Sequence, residues 1–436
     1  MLYSNLIAVF LLAVCPLSQT QTNLWQPWLL GNISQPYAAF LSLIPTENTT
    51  VDPLDNYTLY VSTFDATALF QTDDIFYMRS PGRNLNDVSG WQLSLIDKDN
   101  YWPNEVLQMP STVMGTEGII WTSGFLVPSK DEGKLNVYLT KNDPLDGPYN
   151  IASLDVEDWS YHATIWHDVN HDGHLDALSA RFRVLLNGNT IAELLWLENP
   201  GLNTPTTGWM QHLVIEGGPD VNMQLHTVYV GTQPFWVLIA AEFWNERLTI
   251  YYADDGSDSF LSDPTKLVSR VVDNTVGRAF DVNYEDLNLD GKPEMLLTGF
   301  NYTEGYVYAF IMPDDFRVDP FERHIIASGF IPNNIDEGTM SPGNVQSFFR
   351  DQAHAASGEK PYVMVSGDDD GSHYILSPDI QDPNDWSYTK HEFIKTGGDI
   401  SGEFAIADLD NDGYMEIISA GYSIGQLWVH TYRPPA

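Results

Sequence analysis

The sequence predicts an all-β fold, a seven-bladed β-propeller with four-stranded antiparallel blades. Three observations lead to this prediction. An apolar hairpin pattern occurs seven times, and an acidic nine-residue pattern occurs three times at about twice the hairpin spacing. No long stretch shows the periodicity of a capped helix, so strands have to supply the structure.

Each hairpin copy consists of an apolar strand, a turn of small or polar residues and a second strand rich in apolar and aromatic residues. Short runs of Val, Ile, Leu and Tyr bounded by Gly, Asn, Asp and Ser are typical of strands and turns. The copies begin roughly every 55–70 residues. They cover residues 57–78, 118–139, 175–197, 235–252, 293–312, 361–377 and 415–432.

Two further strand candidates accompany the hairpins. One follows the hairpin, at 209–217, 321–329 and 386–394, and the other precedes the acidic pattern. Each repeat therefore supplies about four antiparallel strands. A sheet of this size cannot bury both of its faces alone, whereas seven sheets packed radially can.

The two ends of the chain are expected to close the ring. Residues 24–34 are similar to the strand that follows the other hairpins, and the chain stops after the third strand of its last repeat. We therefore expect 24–34 to complete the last blade of one propeller that spans residues 21–436. No Pro/Ser-rich or charge-rich linker interrupts the series, which argues against two separate β-domains.

Residues 1–20 have the features of a removable export signal. The apolar run from Leu6 to Val14 carries no charge and is too short to span a bilayer. The single cysteine, Cys15, lies in this segment, so no disulfide is expected in the mature chain. The segment before the apolar run lacks Lys and Arg, which is unusual for such a signal.

Other sequence features favour a secreted, extracellular glycoprotein without a membrane span. Four N-x-[ST] sequons follow the export signal. They begin at Asn32, Asn48, Asn56 and Asn301. No later stretch approaches 18 consecutive apolar residues.

The formal net charge is −39, from 20 basic and 59 acidic residues. Such a balance argues against nucleic acid or an anionic membrane surface as the partner. It suits a chain that binds cations, and it also suits solubility in an extracellular medium.

The acidic pattern D-x-[DN]-x-D-G-x-x-[DE] occurs at 168–176, 286–294 and 408–416. A hard cation prefers several oxygen ligands in a tight turn, here side-chain oxygens at positions 1, 3, 5 and 9 and a carbonyl at position 7. The glycine at position 6 permits the positive φ that such a turn requires. The predicted calcium ligands are Asp168, Asn170, Asp172, His174, Asp176, Asp286, Asn288, Asp290, Lys292, Glu294, Asp408, Asp410, Asp412, Tyr414 and Glu416, with His174, Lys292 and Tyr414 contributing carbonyls.

An EF-hand is excluded, because it needs an acidic residue at position 12 and flanking helices. That position holds Ser179, Leu297 and Ser419, and the flanks are predicted strands. The alternative, solvated acidic turns without metal, is costly because the carboxylates repel one another. The similar segment at 366–371 lies in a hairpin turn, and we interpret it as an acidic turn.

These loops and the hairpin series resemble the FG-GAP/VCBS repeat family of secreted calcium-binding β-propellers. That family includes integrin α-subunit propellers, some fungal lectins and propeller domains of several sugar-acting lyases. The resemblance covers about residues 24–433, although the Phe-Gly dipeptide is absent and only three of the seven repeats keep the loop. It implies about three structural calcium ions that hold the blades together, and it does not by itself imply an activity.

No hydrolase, metalloprotease, phosphate-loop or dinucleotide motif is present. A propeller's site is expected at the mouth of its central channel. Candidates for the lining are His162, His226, Asp281, Gln346 and Glu403, with Trp159, Tyr161, Trp166 and Trp244 as possible sugar-stacking faces. Each of these residues also has a structural explanation, either as an ordinary strand residue or as a side chain packed between blades. Asp281 and Glu403 each precede an acidic loop by five residues, which suits either channel lining or support of the metal.

Two functions remain open from sequence. The first is a binding or adhesion module for carbohydrate or an extracellular glycoprotein. The alternative is a carbohydrate-active lyase or dehydratase in which a channel-mouth histidine, with His162 as the first candidate, abstracts a proton. We see little repetition of surface aromatic residues at fixed offsets, which weighs against a multivalent lectin, and the scarcity of basic residues weighs against a polyuronate substrate. Some sugar dehydratases of the family carry cupin domains that this sequence lacks, so we favour the binding module.

Overall fold

The computed structural model describes residues 23–68, 70–125, 130, 132–152, 159–185, 187–335 and 338–435. The predicted export signal at 1–20, with Cys15, lies outside the described residues. The described part confirms the fold class, because it forms seven antiparallel sheets of four strands each.

Twenty-eight strands make up these sheets in the described residues. The strands of the first half are β1 (Trp28–Ser34), β2 (Ala38–Pro45), β3 (Tyr57–Thr63), β4 (Asp73–Arg79), β5 (Ser94–Asn100), β6 (Pro103–Met109), β7 (Gly118–Ser123), β8 (Leu135–Leu139), β9 (Asp146–Asn150), β10 (Ser160–His167), β11 (Asp176–Val184), β12 (Thr190–Glu198), β13 (Met210–Glu216) and β14 (Asn222–Val230). Those of the second half are β15 (Gln233–Glu242), β16 (Arg247–Ala253), β17 (Leu267–Asp273), β18 (Arg278–Glu285), β19 (Glu294–Phe300), β20 (Gly305–Ile311), β21 (Glu322–Phe330), β22 (Val345–Phe348), β23 (Tyr362–Ser366), β24 (Ser372–Pro378), β25 (Tyr388–Lys395), β26 (Phe404–Ala407), β27 (Glu416–Gly421) and β28 (Gln426–Thr431).

Helices are short and lie in the connections. The α-helices of the described residues are α1 (Ser111–Met114) and α2 (Gln352–Ser357). The 3₁₀ helices cover Pro53–Asp55, Pro81–Gly90, Ser259–Leu261, Pro264–Lys266, Asp368–Asp370 and Tyr422–Ile424. None of the helices in these described ranges combines the length and the apolar character that crossing a bilayer requires.

The sheets are blades arranged around a central channel. Six of them follow chain order, from β2-β3-β4-β5 to β22-β23-β24-β25, and each predicted hairpin forms the second and third strands of a blade. The first strands of adjacent blades touch one another, linking β26 to β2, β2 to β6 and onward to β22. These first strands therefore form the wall of the channel.

The hydrophobic core lies between neighbouring blades. Ile239 and Ile250 of the fourth blade, for example, share one buried cluster with Met295 and Leu297 of the fifth. Packing sheet against sheet in this way buries both faces of a blade, which a single four-stranded sheet cannot do alone.

The seventh blade joins the two ends of the chain. Its strand order is β26-β27-β28-β1, and β1 pairs antiparallel with β28 from Trp28 opposite Thr431 to Ser34 opposite Gln426. The sequence analysis predicted that residues 24–34 complete the last blade, and β1 lies within that segment. Ile33 of β1 is buried in the cluster between the last and first blades.

Ile33→Ala should destabilise the propeller by about 2–4 kcal/mol, because it opens a cavity in that cluster. Leu29→Ala, on the same strand, is the matched control, since Leu29 is 56% exposed and Ile33 only 8%. Urea unfolding measures both. Equal stabilities of the two variants would contradict a closing role for the buried face of β1.

Candidate functional site

The three acidic loops occupy equivalent places at one end of the first strands. They join β10 to β11, β18 to β19 and β26 to β27. In each loop the fourth residue is left-handed, with φ values of 58° at His171, 61° at Leu289 and 57° at Asn411. Three different sequences thus adopt one backbone, although a left-handed conformation is unfavourable for residues such as leucine.

Hydrogen bonds fix this backbone in the same way each time. The carboxylate of Asp168 accepts the N–H groups of Asp172 and Gly173, both at 3.0 Å. The carboxylates of Asp286 and Asp408 accept the equivalent pairs of N–H groups at 2.9–3.1 Å. These hydrogen bonds therefore hold the acidic side chains close together although their like charges repel one another.

The ninth residue of each loop is a buried carboxylate. Asp176, Glu294 and Glu416 are at most 1% exposed, and each accepts the N–H of the loop's second residue. Burial raises the pKa of Asp176 to about 6 and those of Glu294 and Glu416 to about 8. A cation at this position would offset the cost of burying the negative charge.

The donor set fits a hard cation such as Ca²⁺. One oxygen from each of Asp408, Asp410 and Glu416 lies within 4.8 Å of the others. The loops offer carboxylate and amide oxygens, the ligands that calcium prefers. In loop three, three of the predicted ligands thus lie together in the fold.

Two of the loops also contact the neighbouring blade. Loop one meets the fourth blade, where the carboxylate of Asp258 lies 2.7 Å from His167 Nε2 and 3.1 Å from His171 Nε2. In loop three, the carbonyl of Gly413 accepts the N–H of Gln352 from α2 of the sixth blade at 2.9 Å. The Arg433 guanidinium lies 3.0 Å from Asp410 and 2.8 Å from Asp412.

The opposite end of the channel opens into a cavity of about 290 Å³ with aromatic walls, which we call the aromatic mouth. Trp102 stacks on Phe64 with ring centroids 3.9 Å apart and lies 5.4 Å from the ring of Phe125. Its aromatic lining residues are Phe40, Phe64, Trp102, Phe125, Phe243, Phe280 and Tyr422.

A second cavity of about 350 Å³ adjoins the mouth, and we call it the acidic channel. The two cavities share Phe40, Asn344 and Glu403. The carboxylates of the acidic channel are Glu105, Asp281, Glu285 and Glu403. The described residues that line either cavity include no Lys or Arg.

A β-bulge at the same place in four first strands positions several of these residues. In β2, β6, β10 and β18, two residues oppose one residue of the second strand. The bulged pairs contain Phe40, Glu105, His162 and Asp281. A bulge redirects a side chain and is common beside active sites.

Hydroxyl groups on the second strands stabilise the bulges. Ser62 Oγ accepts the N–H of Phe40, and Thr298 Oγ1 accepts the N–H of Asp281, both at 3.1 Å. Thr122 Oγ1 lies between two blades, 3.1 Å from the carbonyl of Glu105 and 2.7 Å from that of His162. These hydrogen bonds hold the backbone in place where the bulges interrupt the regular pairing of the strands.

His162 lies where the mouth meets the channel. It is 1% exposed, and neither ring nitrogen has a hydrogen-bond partner among the described residues. Its Nδ1 is 3.4 Å from Glu105 Oε1, and the rings of Phe40, Phe125 and Phe280 surround it at 5.8–6.1 Å. A buried imidazole without hydrogen bonds is costly, so this group is available to a ligand.

Burial also changes the carboxyl groups of the channel. It raises the pKa of Asp281 to about 7, although the N–H of Val345 donates to this carboxylate at 2.9 Å. The pKa of Glu403 is raised well above its usual range, first by burial and then by the charges of Glu105 and Asp281. Glu403 Oε2 accepts the N–H of Leu41 at 3.2 Å, whereas Oε1 has no partner among the described residues.

The structure brings together four of the five polar candidates from the sequence. His162 lines the mouth, Asp281 and Gln346 line the channel, and Glu403 lines both. The five-residue offset of Asp281 and Glu403 therefore corresponds to channel lining. His226 lines neither cavity, because its Nε2 lies 2.8 Å from Gln224 Oε1 and its ring packs against Tyr284.

The four aromatic candidates serve packing. Trp159 and Tyr161 are buried in the cluster between the second and third blades, and Trp166 packs against it. Trp244 packs against Phe182 and Phe243. None of the four is among the described residues that line the mouth or the channel.

Sequence reasoning missed Glu105 and the aromatic wall. Four wall residues lie one or two residues beyond the second strand of their blade, in the segments VSTF, TSGF, AAEF and SAGY. They are Phe64, Phe125, Phe243 and Tyr422. The sequence analysis considered aromatic residues of the strands and did not single out this position in the turns that border the channel.

The mouth and the acidic loops are far apart. His162 and Asp168 are six residues apart along the first strand, which corresponds to about 20 Å. A ligand in the mouth therefore does not reach a metal in the loops, so such a metal would act on the fold.

Asp281→Asn should flatten the dependence of stability on pH. The folded-state pKa of about 7 lies above the ordinary 3.8, so the folded state binds more protons than the unfolded chain between these values. The stabilisation is complete below about pH 4 and is lost as pH rises through 7. Between about pH 5 and about pH 8, we expect the wild type to lose about 2 kcal/mol more than the variant in urea unfolding. Glu359→Gln, at an exposed carboxylate, is the control. Identical pH profiles of Asp281→Asn and the wild type would contradict a buried, proton-binding Asp281 beside Glu105 and Glu285.

Comparison with known proteins does not assign the chain to a family. No protein-family model matches the sequence, and a search of the curated proteins found no match. Among solved structures, the chain is similar to a glucose dehydrogenase (TM-score 0.45, 9% identity, covering 76% of this chain and 96% of that chain). It is also similar to a soluble aldose sugar dehydrogenase from Escherichia coli (TM-score 0.42, 11% identity, 77% and 96%) and to a hypothetical selenium-binding protein from Sulfolobus tokodaii (TM-score 0.46, 10% identity, 86% and 92%). At such scores and identities the likeness carries no information on ligand or activity.

Proposed function

We propose that this chain is a secreted, calcium-stabilised β-propeller of the FG-GAP/VCBS type that binds a carbohydrate in the aromatic mouth. The observation that carries the proposal is the mouth itself, an aromatic cavity at the axis with a few polar groups at its base. Small-molecule sites are typically apolar concavities with a few polar groups that orient the ligand. Rings such as Trp102 and Phe64 offer flat apolar faces to a sugar ring, while His162, Asn344 and Glu403 offer polar atoms.

The position of the mouth favours one ligand site per molecule. Its walls come from the second-strand ends of several blades, which converge on a single axis. A multivalent lectin would instead repeat a separate site on each blade. The proposed module therefore binds a short glycan or the end of a longer one.

The charge of the site restricts the glycan. Carboxylates line the mouth and the channel, and the described lining has no Lys or Arg. Like charges across an interface are unfavourable, so a polyuronate is excluded as the ligand of this proposal.

The proposed calcium ions are structural. Two of the three loops contact the next blade, and all lie about 20 Å from the mouth along the first strands.

The exposure of the sequons supports the proposal that the protein is secreted. Asn32, Asn48 and Asn301 of the sequons are exposed and open to glycosylation.

A lyase or dehydratase is the second candidate, and one contact favours it. His162 Nδ1 lies 3.4 Å from Glu105 Oε1, an arrangement that orients an imidazole for proton abstraction. Such a reaction needs a positive group to stabilise the developing enolate. The described lining offers no Lys or Arg for this role, which favours binding over catalysis.

Removing calcium should lower the melting temperature by about 5 °C or more, because a ligand that binds only the folded state stabilises it. Asp172→Ala and Asp412→Ala should each lower the melting temperature and shrink the difference between calcium and EDTA. Glu359→Ala removes an exposed carboxylate outside the loops and is the control. A melting curve that EDTA leaves unchanged would exclude structural calcium.

Trp102→Ala should weaken binding of the best ligand from a glycan array about tenfold, a loss of about 1.4 kcal/mol. Tyr229→Ala is the control, because Tyr229 is 63% exposed on β14 and lies outside the mouth. Calorimetry gives the affinities, and mass spectrometry of the recovered glycan shows whether it is intact. Unchanged affinity of Trp102→Ala would place binding elsewhere, and a cleaved or dehydrated glycan that His162→Ala leaves intact would favour the enzyme.

A further inference from the structure

Carboxyl groups line the aromatic mouth, its junction with the acidic channel and the channel itself. Asp368 and Asp369 line the mouth, Glu403 lies at the junction, and Glu105 and Asp281 lie below it. Glu285 adds a further carboxylate to the channel. The only titratable group of positive character in the described lining is His162.

Two side chains at the junction have polar atoms without partners. Glu403 Oε1 is buried and accepts no hydrogen bond of normal geometry from the described residues, although the Asn344 side chain interacts with this carboxyl and partly offsets the rise in its pKa that burial causes. His162, 1% exposed, has no hydrogen bond at either ring nitrogen, and its Nδ1 lies 3.4 Å from Glu105 Oε1. Buried polar atoms are nearly always paired, so a polar ligand group at the junction would give these atoms the hydrogen bonds that they lack.

The aromatic mouth favours a cation as well. The faces of aromatic rings are electronegative and attract an ammonium group within about 6 Å of the ring centre. Phe40 lines both cavities and lies beside His162, with ring centroids 5.9 Å apart. A positive group at the junction would meet a ring face and a carboxylate together.

We propose that the carbohydrate bound in the mouth carries a free, protonated amino group, as in a deacetylated hexosamine, and that Glu403 receives this group. The inference rests on the proposed function and names its ligand class. An ammonium N–H supplies the donor that Glu403 Oε1 lacks, and sugar hydroxyls supply partners for His162. The raised pKa values of Glu403 and Asp281 reflect burial without a neighbouring positive charge, which an ammonium group would provide.

Other cations fit less well. A quaternary ammonium has no N–H to donate to the unpaired oxygen of Glu403. A divalent metal needs several ligand atoms close together, and the carboxylates described in the acidic channel do not form such a group.

Three trisaccharides of equal length test the proposal by calorimetry in a buffer of low ionic strength near neutral pH. They are the trimer of glucosamine, its fully N-acetylated form and the neutral glucose trimer. We expect the glucosamine trimer to bind at least about tenfold more tightly than the others. The preference should fall as salt is added, because screening weakens charge attraction.

Glu403→Gln keeps the size of the side chain and removes its charge. We expect the ratio of the glucosamine-trimer affinity to the glucose-trimer affinity to fall close to one in this variant. Glu359→Gln, at an exposed carboxylate that is among the lining residues of neither cavity, should keep the wild-type ratio.

The outcomes separate the two proposals. Trimers that bind without a preference for the amine, or a preference that Glu403→Gln leaves intact, would overturn the amino-sugar inference and leave carbohydrate binding standing. Failure of every trimer and of a wider glycan array to bind would overturn both. Tetramethylammonium that binds as tightly as the glucosamine trimer would show that the cation alone is recognised, which also overturns the inference.

Discussion

Ring closure is the constraint on which the rest of this structure depends. Seven blades surround the axis only because β1, from one end of the chain, pairs with β28 from the other. This pairing completes the seventh sheet and buries Ile33 between the last and first blades. Because no blade covers both of its faces alone, each interface depends on the others for its geometry. The channel exists because the ring is closed.

The two ends of the first strands have different roles. Where a first strand begins, a bulge turns residues such as Glu105, His162 and Asp281 toward the axis. Where it ends, in three blades, an acidic loop gathers oxygen-bearing side chains at the other end of the channel. One strand thus connects a proposed ligand site to a proposed metal site about 20 Å away.

The fold was accessible from the sequence because its signals are periodic. The hairpins repeat with one spacing and the acidic loops with twice that spacing, so even a single chain contains several independent copies of each signal. Within the site, the sequence indicated His162 as a residue of an innermost strand, and it indicated Asp281 and Glu403 also through their shared offset from the loops. Glu105 escaped notice because its blade has no acidic loop to mark the offset, and Phe64 and Phe125 escaped because turn residues give no strand pattern. His226 was misplaced because a short turn joins β14 to β15, so no acidic loop gave an offset that would locate this residue along its strand.

The chemistry of the mouth follows from what surrounds it. A chain with net charge −39 concentrates several carboxylates around one apolar cavity. Burial makes those carboxylates costly, and aromatic rings above them add further attraction for positive charge. The same features that disfavour an acidic glycan favour one that is neutral or basic.

The most direct measurement is a crystal structure of the calcium-loaded protein with its best-binding oligosaccharide. The account predicts a sugar ring against Trp102 and Phe64 with its polar groups at His162 and Glu403. A sugar bound between blades at the periphery, with the mouth filled by water alone, would contradict it.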